Sequence, residues 1–203
     1  MNKFLTALIA VTALNSQTFA AGAKALEAGQ YNIDPMHSKV GFEIPHLVIS
    51  TVEGNFKTYG GSLNVADQFN KSKIEADVDI SSVDTGVADR DGHLKSPDFF
   101  DAAKYPKMTF KSTSITGSPE SFKMTGDLTI RGKTKKVTFE GNYRGSAVDG
   151  YGNTKAAFVA QTKINRKDFG LTWSNVVEVG PVVGDEVTIK LNIQAAKVVA
   201  AKK

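Results

Sequence analysis

The chain has no cysteine, one tryptophan and three histidines in 203 residues. Without thiols there is no disulfide, no thiolate nucleophile and no cysteine-based metal site, so the fold must rest on its core alone. His37, His46 and His93 form no pair at i, i+4 or another compact ligand spacing, and no metal site is expected. A Gly-x-Ser-x-Gly nucleophile elbow is also missing. Charge of neither sign dominates: 25 Lys and Arg stand against 21 Asp and Glu, spread in singles and pairs with no basic stripe among aromatics. Nucleic acid is therefore not an expected partner. The densest basic patch, Arg131 to Lys136, falls on an expected hairpin turn. It reads as a solvated turn, with attraction to anionic lipid or a phosphate head group as its functional alternative.

Long apolar runs are nearly as scarce as thiols. One spans Phe4 to Leu14 behind Lys3, too short to cross a bilayer, and has the form of a signal-peptide core. Thr18 with Ala20, or Ala21 with Ala23, suits cleavage, so residues 1–23 are expected to be removed after Ala20 or Ala23. No cysteine follows, which excludes a lipoprotein. Export without disulfides fits a bacterial periplasm. The remaining chain divides into a linker at 24–29, one domain at 30–196 and a frayed tail at 197–203.

What the chain has in quantity is alternation with period two. Gln30 to Ile33, Ser38 to Ile44 (ended by Pro45), Ile74 to Ser81, Met108 to Thr116, Phe122 to Arg131, Val137 to Tyr143, Thr154 to Ile164 and Val187 to Ala195 each present one apolar face. Thr51 to Tyr59 and Ser62 to Ala66 read as a hairpin about Gly60-Gly61. About eight or nine strands with short turns, and no helix long enough to cover a sheet, must close on each other. An antiparallel barrel or sandwich follows, and hairpin connections favour the up-and-down barrel. The exception is Asp89 to Pro106: Ser96 suits an N-cap, Pro97 the first helical position and Asp98 the first turn, with Val87 to Lys95 able to add a turn or two. This segment is expected to be a lid, anchored by Arg90 and Asp91.

An eight-stranded interior is just wide enough to be filled by side chains or to hold one small ligand. The inward set mixes Phe42, Phe110, Phe122, Phe139 and Phe158 with Gly41, Ala76, Gly126 and Gly141. Large and small residues could interlock into a solid core, or they could enclose an elongated apolar cavity suited to an aliphatic chain. Polar chemistry is sparse; an acid and base pair of His93 with Asp91, or His37 with Asp34, is the alternative, an enzyme acting on an amphiphile.

Several ordered motifs carry a resemblance. Tyr31-Asn32-Ile33-Asp34-Pro35-Met36-His37-Ser38, Gly54-Asn55-Phe56, Ser82-Val83-Asp84-Thr85, Arg90 to Phe100, Tyr105-Pro106, Gly126 to Gly132, Ile164 to Gly170 and Gly184 to Val187 together resemble the YceI-like family of bacterial periplasmic proteins. The resemblance implies an all-β, lipocalin-like, antiparallel up-and-down barrel of eight strands with a short helical lid around residues 87–103. It also implies a non-enzymatic carrier that sequesters a polyisoprenoid or other long-chain amphiphile, such as an isoprenoid quinone, a prenyl pyrophosphate, or a fatty amide or acid. That bound lipid is the only expected cofactor-like group. On this chain the tail would lie among Phe42, Ile44, His46, Phe56, Val78, Ile80, Leu94, Phe99, Phe100, Phe110, Met124, Leu128, Phe158, Phe169 and Trp173. His37, Arg90, His93 and Arg166 would meet the head group or line the mouth, with Arg166-Lys167-Asp168-Phe169 framing a mouth loop. Transient contact with a membrane or membrane protein, and a homodimer, stay open as partners.

Overall fold

A computed structural model describes residues 24–177 and 180–199. The expected signal segment, 1–23, and residues 200–203 of the tail lie outside the described residues.

Thirteen strands occur among the described residues: β1 (Gly29–Ile33), β2 (Lys39–His46), β3 (Ser50–Phe56), β4 (Tyr59–Val65), β5 (Lys73–Asp79), β6 (Val83–Asp84), β7 (Lys107–Ser118), β8 (Ser121–Ile130), β9 (Lys133–Val148), β10 (Thr154–Asn165), β11 (Val176–Val177), β12 (Gly180–Pro181) and β13 (Glu186–Lys197). They make eight walls, because three walls are interrupted strands. A 3-10 turn at Pro35–His37 separates β1 from β2, the bend at Lys57 and Thr58 separates β3 from β4, and a 3-10 turn at Ile80–Ser82 separates β5 from β6. Each wall runs antiparallel to the next. The ring closes because β13 pairs with β2 at Leu191 and Val40 and with β1 at Ala195 and Ile33. This is the expected closed up-and-down barrel, and β11 and β12 form a separate small ribbon.

Alternation explains which face is wet. Outside, Lys107 meets Asp77, Lys111 meets Glu75, Lys123 meets Glu140, Lys136 meets Asp127 and Lys163 meets Glu186 across neighbouring strands. Each exposed pair contributes only about 0.2–1 kcal/mol, but opposite charges set directly across, as at Lys111 and Glu75, Lys123 and Glu140, and Lys136 and Asp127, or diagonally, as at Lys107 and Asp77 and at Lys163 and Glu186, favour one register over its slipped neighbours. Irregular pairing in β7 between Ser112 and Ser114, and where β10 meets β9 between Ala157 and Phe158, bends the long strands towards closure.

Four local expectations are corrected. The hairpin about Gly60-Gly61 does not exist: both glycines lie inside β4, and β3 continues into β4 along one wall. A methyl group on Gly61 would stand 2.5 Å from the Glu75 carbonyl oxygen, so this glycine serves close strand approach and not a turn. The chain reverses instead at Leu47 to Ile49, joining β2 to β3. Pro45 does not end its strand, which runs to His46. Ser96 does not start a helix: α1 is Ala88–Lys95 and Ser96 is its C-cap, while Pro97 to Phe100 form a turn. Finally, Lys197 is not frayed; it pairs with Tyr31 and its ammonium lies 2.7 Å from the Glu27 carboxylate.

The buried residues gather in three groups. One surrounds Tyr31, Phe122, Met124, Phe139 and Phe158. A second, under the lid, holds Phe99, Leu128, Ile130, Ile164, Phe169 and Leu171. Phe56, Ile80 and Val83 form the third. Inward-facing glycines sit beneath rings from the adjacent strand. A methyl group on Gly54 would overlap Phe42, one on Gly126 would overlap Phe110, and one on Gly141 would come within 2.7 Å of Phe122.

Candidate functional site

The barrel centre is hollow. An inner lobe of about 160 Å³ and a lid lobe of about 250 Å³ share Val40, Met108, Ile130 and Ile189 in their linings. Those four side chains come from the first, fourth, fifth and eighth walls, so Val40 faces Ile130 and Met108 faces Ile189 across the axis. They form a waist in one continuous lumen. Together the lobes fall in the size range of small-molecule sites, roughly 300–1,000 Å³.

Of the residues expected to contact a chain, Val78, Phe110, Met124, Leu128 and Phe158 line the inner lobe. Phe42, Ile44, His46, Phe56, Leu94, Phe99, Phe100, Phe169 and Trp173 line the lid lobe. Ile80 lines neither; it is buried in the third group, with Phe56 and Val83. The waist residues were not anticipated, since they carry no sign beyond ordinary strand alternation.

The polar residues divide more sharply. Arg90 and His93 line the lid lobe, whereas His37 stands outside the barrel on the Pro35–His37 turn. His37 is corrected as a mouth residue. Its Nδ1 lies 3.0 Å from the Asp34 carboxylate, which also accepts from Lys155 Nζ at 2.9 Å. The Lys155 hydrogen bond is the main cause, with His37 adding to it, that holds the Asp34 carboxyl down at about 2 from an ordinary 3.8. A carboxylate so strongly held by a lysine is a poor partner for acid and base exchange.

His93 does not pair with Asp91. Its Nε2 lies 3.0 Å from Asp98 Oδ2, and its ring packs edge-on against Phe99 and Trp173, each with centroids 5.0 Å away. Asp91 instead accepts from the Thr85 amide at 2.8 Å and hydroxyl at 2.6 Å. Arg90 donates to the same residue, at Thr85 Oγ1 and the Thr85 carbonyl, so both charges fasten α1 to the end of β6 as expected. His93 lines the lumen while 40% of its side chain remains exposed, which places an edge of the cavity at the surface there.

Arg166 also lines the lid lobe and frames the mouth loop, with its donors committed to the protein itself. Its side chain is 3% exposed. The guanidinium donates to the carbonyls of Gly184 at 2.8 Å, Leu171 at 2.5 Å, Trp173 at 2.7 Å and Val183 at 3.4 Å, and meets Asp185 at 3.2 Å. Burial lowers its pKa and Asp185 works against that shift. A planar five-donor fork suits this role as an ammonium would not. Arg131 is a second clamp that a solvated-turn reading passes over. It donates to the Pro97 carbonyl at 2.7 Å, the Phe99 carbonyl at 2.8 Å and the Gly170 carbonyl at 3.0 Å, tying lid, β8–β9 turn and mouth loop together. Its position ahead of Gly132, in a turn where both residues take positive φ, was the available signal. Among the described residues no three His, Asp or Glu side chains converge as a metal site needs.

Comparison with known proteins places this architecture. Protein YceI of Escherichia coli O157:H7 is 37% identical over 186 residues, covering 90% of this chain and 93% of that protein. Among solved structures, BcnA of Burkholderia cenocepacia superposes with a TM-score of 0.69 at 26% identity, over 80% of this chain and 98% of its own. The YceI protein of Campylobacter jejuni gives a TM-score of 0.66 at 33% identity, over 76% and 90%. A domain from Saccharophagus degradans described as polyisoprenoid-binding shares the fold, with a TM-score of 0.62 at 14% identity over 85% and 100%. Residues 31–195 match the YceI-like domain, and with that match over most of its length this chain belongs to the YceI-like family.

Proposed function

We propose that this chain is a periplasmic binding or carrier protein that sequesters a polyisoprenoid or another long-chain amphiphile in its lumen, without catalysis. The observation that carries the reading is the two-lobed cavity, continuous through its waist and lined almost wholly by apolar side chains. A chain threaded through it would gain about 0.8 kcal/mol for each methylene removed from water. The tail would occupy the inner lobe. The head would lie in the lid lobe near Arg90, His93 and His46, where its few polar side chains stand and the cavity meets the surface. The polyisoprenoid-binding domain that shares the fold supports the cargo class, and the apolar run at Phe4 to Leu14 supports export.

Organic extraction of the purified protein followed by mass spectrometry tests this. A long-chain prenyl or acyl compound in stoichiometric amount is expected, and adding it back to stripped protein should raise the melting temperature. A protein that extracts clean and whose melting temperature ignores prenyl alcohols, quinones and fatty acids would refute the reading.

A further inference from the structure

The turn joining β2 to β3 breaks two rules at once. Leu47 and Val48 have φ of 51° and 65°, a region that hairpin turns normally give to Asn, Asp or Gly and that a β-branched residue rarely enters. Of the two strained residues Leu47 is half-buried, but Val48 is left in water at 65% exposed, together with its neighbour Ile49 at 83%. Backbone strain and apolar exposure at one hairpin tip both disfavour the sequence found there, which points to a use outside the fold itself.

The surroundings narrow that use. From Pro45 to Thr51 there is no Asp, Glu, Lys or Arg, nor is there one from Gly180 to Gly184 in the adjoining loop. The two segments are joined, since the Leu47 amide donates to the Val182 carbonyl at 3.0 Å and His46 bridges Val183. Pro45, His46, Val182 and Val183 also line the lid lobe, so this uncharged stretch forms part of the cavity's edge, which Arg90 and His93 line elsewhere. Exposed Val87 stands just beyond β6, which pairs with β3 in the sense that leads towards the same tip. The tip itself presents an area on the order of a few hundred Å², well under the roughly 800 Å² per partner of a stable protein interface. A narrow, uncharged, aliphatic prong beside a lipid-sized cavity fits a bilayer and not a second copy.

We propose that the Leu47 to Ile49 tip inserts into the acyl region of a lipid bilayer and holds the lid lobe against the membrane surface. Its purpose, passage of a chain between bilayer and lumen, rests on the carrier reading; the docking itself does not. Because the inserting tip and the loop beside it carry no charge, docking should depend neither on anionic lipid nor on salt.

The chain's lack of cysteine allows one clean label. Ile49→Cys carrying an environment-sensitive fluorophore should brighten and shift to the blue with vesicles of three parts phosphatidylethanolamine to one part phosphatidylglycerol, and equally with phosphatidylcholine alone. The same label at Tyr151→Cys, an exposed site in the β9–β10 turn at the other end of the barrel, should not respond. The double variant Val48→Asn, Ile49→Asn should weaken vesicle co-sedimentation about tenfold or more. Because Asn accepts positive φ, its melting temperature should be unchanged or higher, which separates lost docking from lost folding. Quenching of Trp173 by a water-soluble prenyl alcohol should be unchanged in that variant, so a failure of docking is distinguishable from a failure of the carrier reading. No response at Ile49→Cys, an equal response at Tyr151→Cys, binding that needs anionic lipid, or a dimer that the double variant converts to monomer would each overturn the proposal.

Discussion

If a chain lies through the waist, narrowing the waist should shorten the chain that can bind. Ile189 on β13 lines both lobes and is flanked by Phe42 and Thr162 on the paired strands, so Ile189→Phe adds a ring where the lumen is shared. The inner lobe of about 160 Å³ would be closed off. At roughly 30 Å³ for a group the size of water or a methylene, that lobe holds on the order of five such groups. At about 0.8 kcal/mol each, closure removes about 4 kcal/mol from a long chain, or roughly 10³-fold in Kd. A short chain confined to the lid lobe loses nothing. Trp173 is the only tryptophan and sits in the lid lobe against Phe99, with ring centroids 5.2 Å apart, so its fluorescence reports both ligands. Titration with a five-carbon and a ten-carbon isoprenoid alcohol, the first able to sit in the lid lobe alone and the second needing both lobes, should give a large difference in wild type and nearly none in Ile189→Phe. A variant that melts like wild type yet still binds the long chain with undiminished advantage would refute the threaded arrangement.

Other perturbations test the surrounding structure. Arg166→Met leaves the carbonyls of Leu171, Trp173, Val183 and Gly184 without their donor and should cost about 3 kcal/mol, lowering Tm by roughly 6–12 °C, with Arg166→Lys recovering less than half in the same melt. Asp34, held at about 2 in the folded chain against an ordinary 3.8, contributes stability that is fully present above about pH 4 and lost as pH falls towards 2. Denaturant melts across that interval should show roughly 1–2 kcal/mol of pH dependence that Asp34→Asn removes. Gly126→Ala would drive a methyl group into the Phe110 ring and should destabilise by about 1–3 kcal/mol while reducing long-chain affinity in the Trp173 titration.

The barrel was legible because strand alternation is a local property with a global consequence: eight one-sided walls have nowhere to bury their apolar faces except on each other. The reversals were less legible. Gly60-Gly61 looks like a turn, but the absence of a side chain at Gly61 is consumed by the close approach of β5. The true reversal at Leu47 and Val48 carries no turn residue, and the Leu47 amide is satisfied by a loop more than 130 positions later. Pro97 suits a first helical turn by its own φ, yet the lid is set by Thr85 at one end and Arg131 at the other. Asp101 then takes φ of 54° and brings the chain back. His37 could be paired with Asp34 from sequence, but whether that pair faced in or out depended on the 3-10 turn that lifts it off the wall. The cavity residues were accessible from period two; the carbonyl partners of Arg131 and Arg166 were not, because main-chain acceptors leave no mark in a sequence.

Mixed large and small residues on an inner face can mean a filled centre or an open one, and composition cannot separate the two. The direction of interlock does. Phe42 lies over Gly54 of the strand paired directly with its own, Phe122 lies over Gly141 in the same relation, and Phe110 reaches diagonally to Gly126. In each case the ring fills the space left by a neighbour in the wall and not the space across the axis. A sheet-facing ring buries its area at ordinary packing density while projecting less into the lumen, so the wall can be well packed and the centre stay open. Substituting a glycine there should therefore act twice, straining the wall and pushing the ring inward. Loss of stability without loss of lumen would mean that the rings yield along the wall, and the glycines would then be explained by strand approach alone.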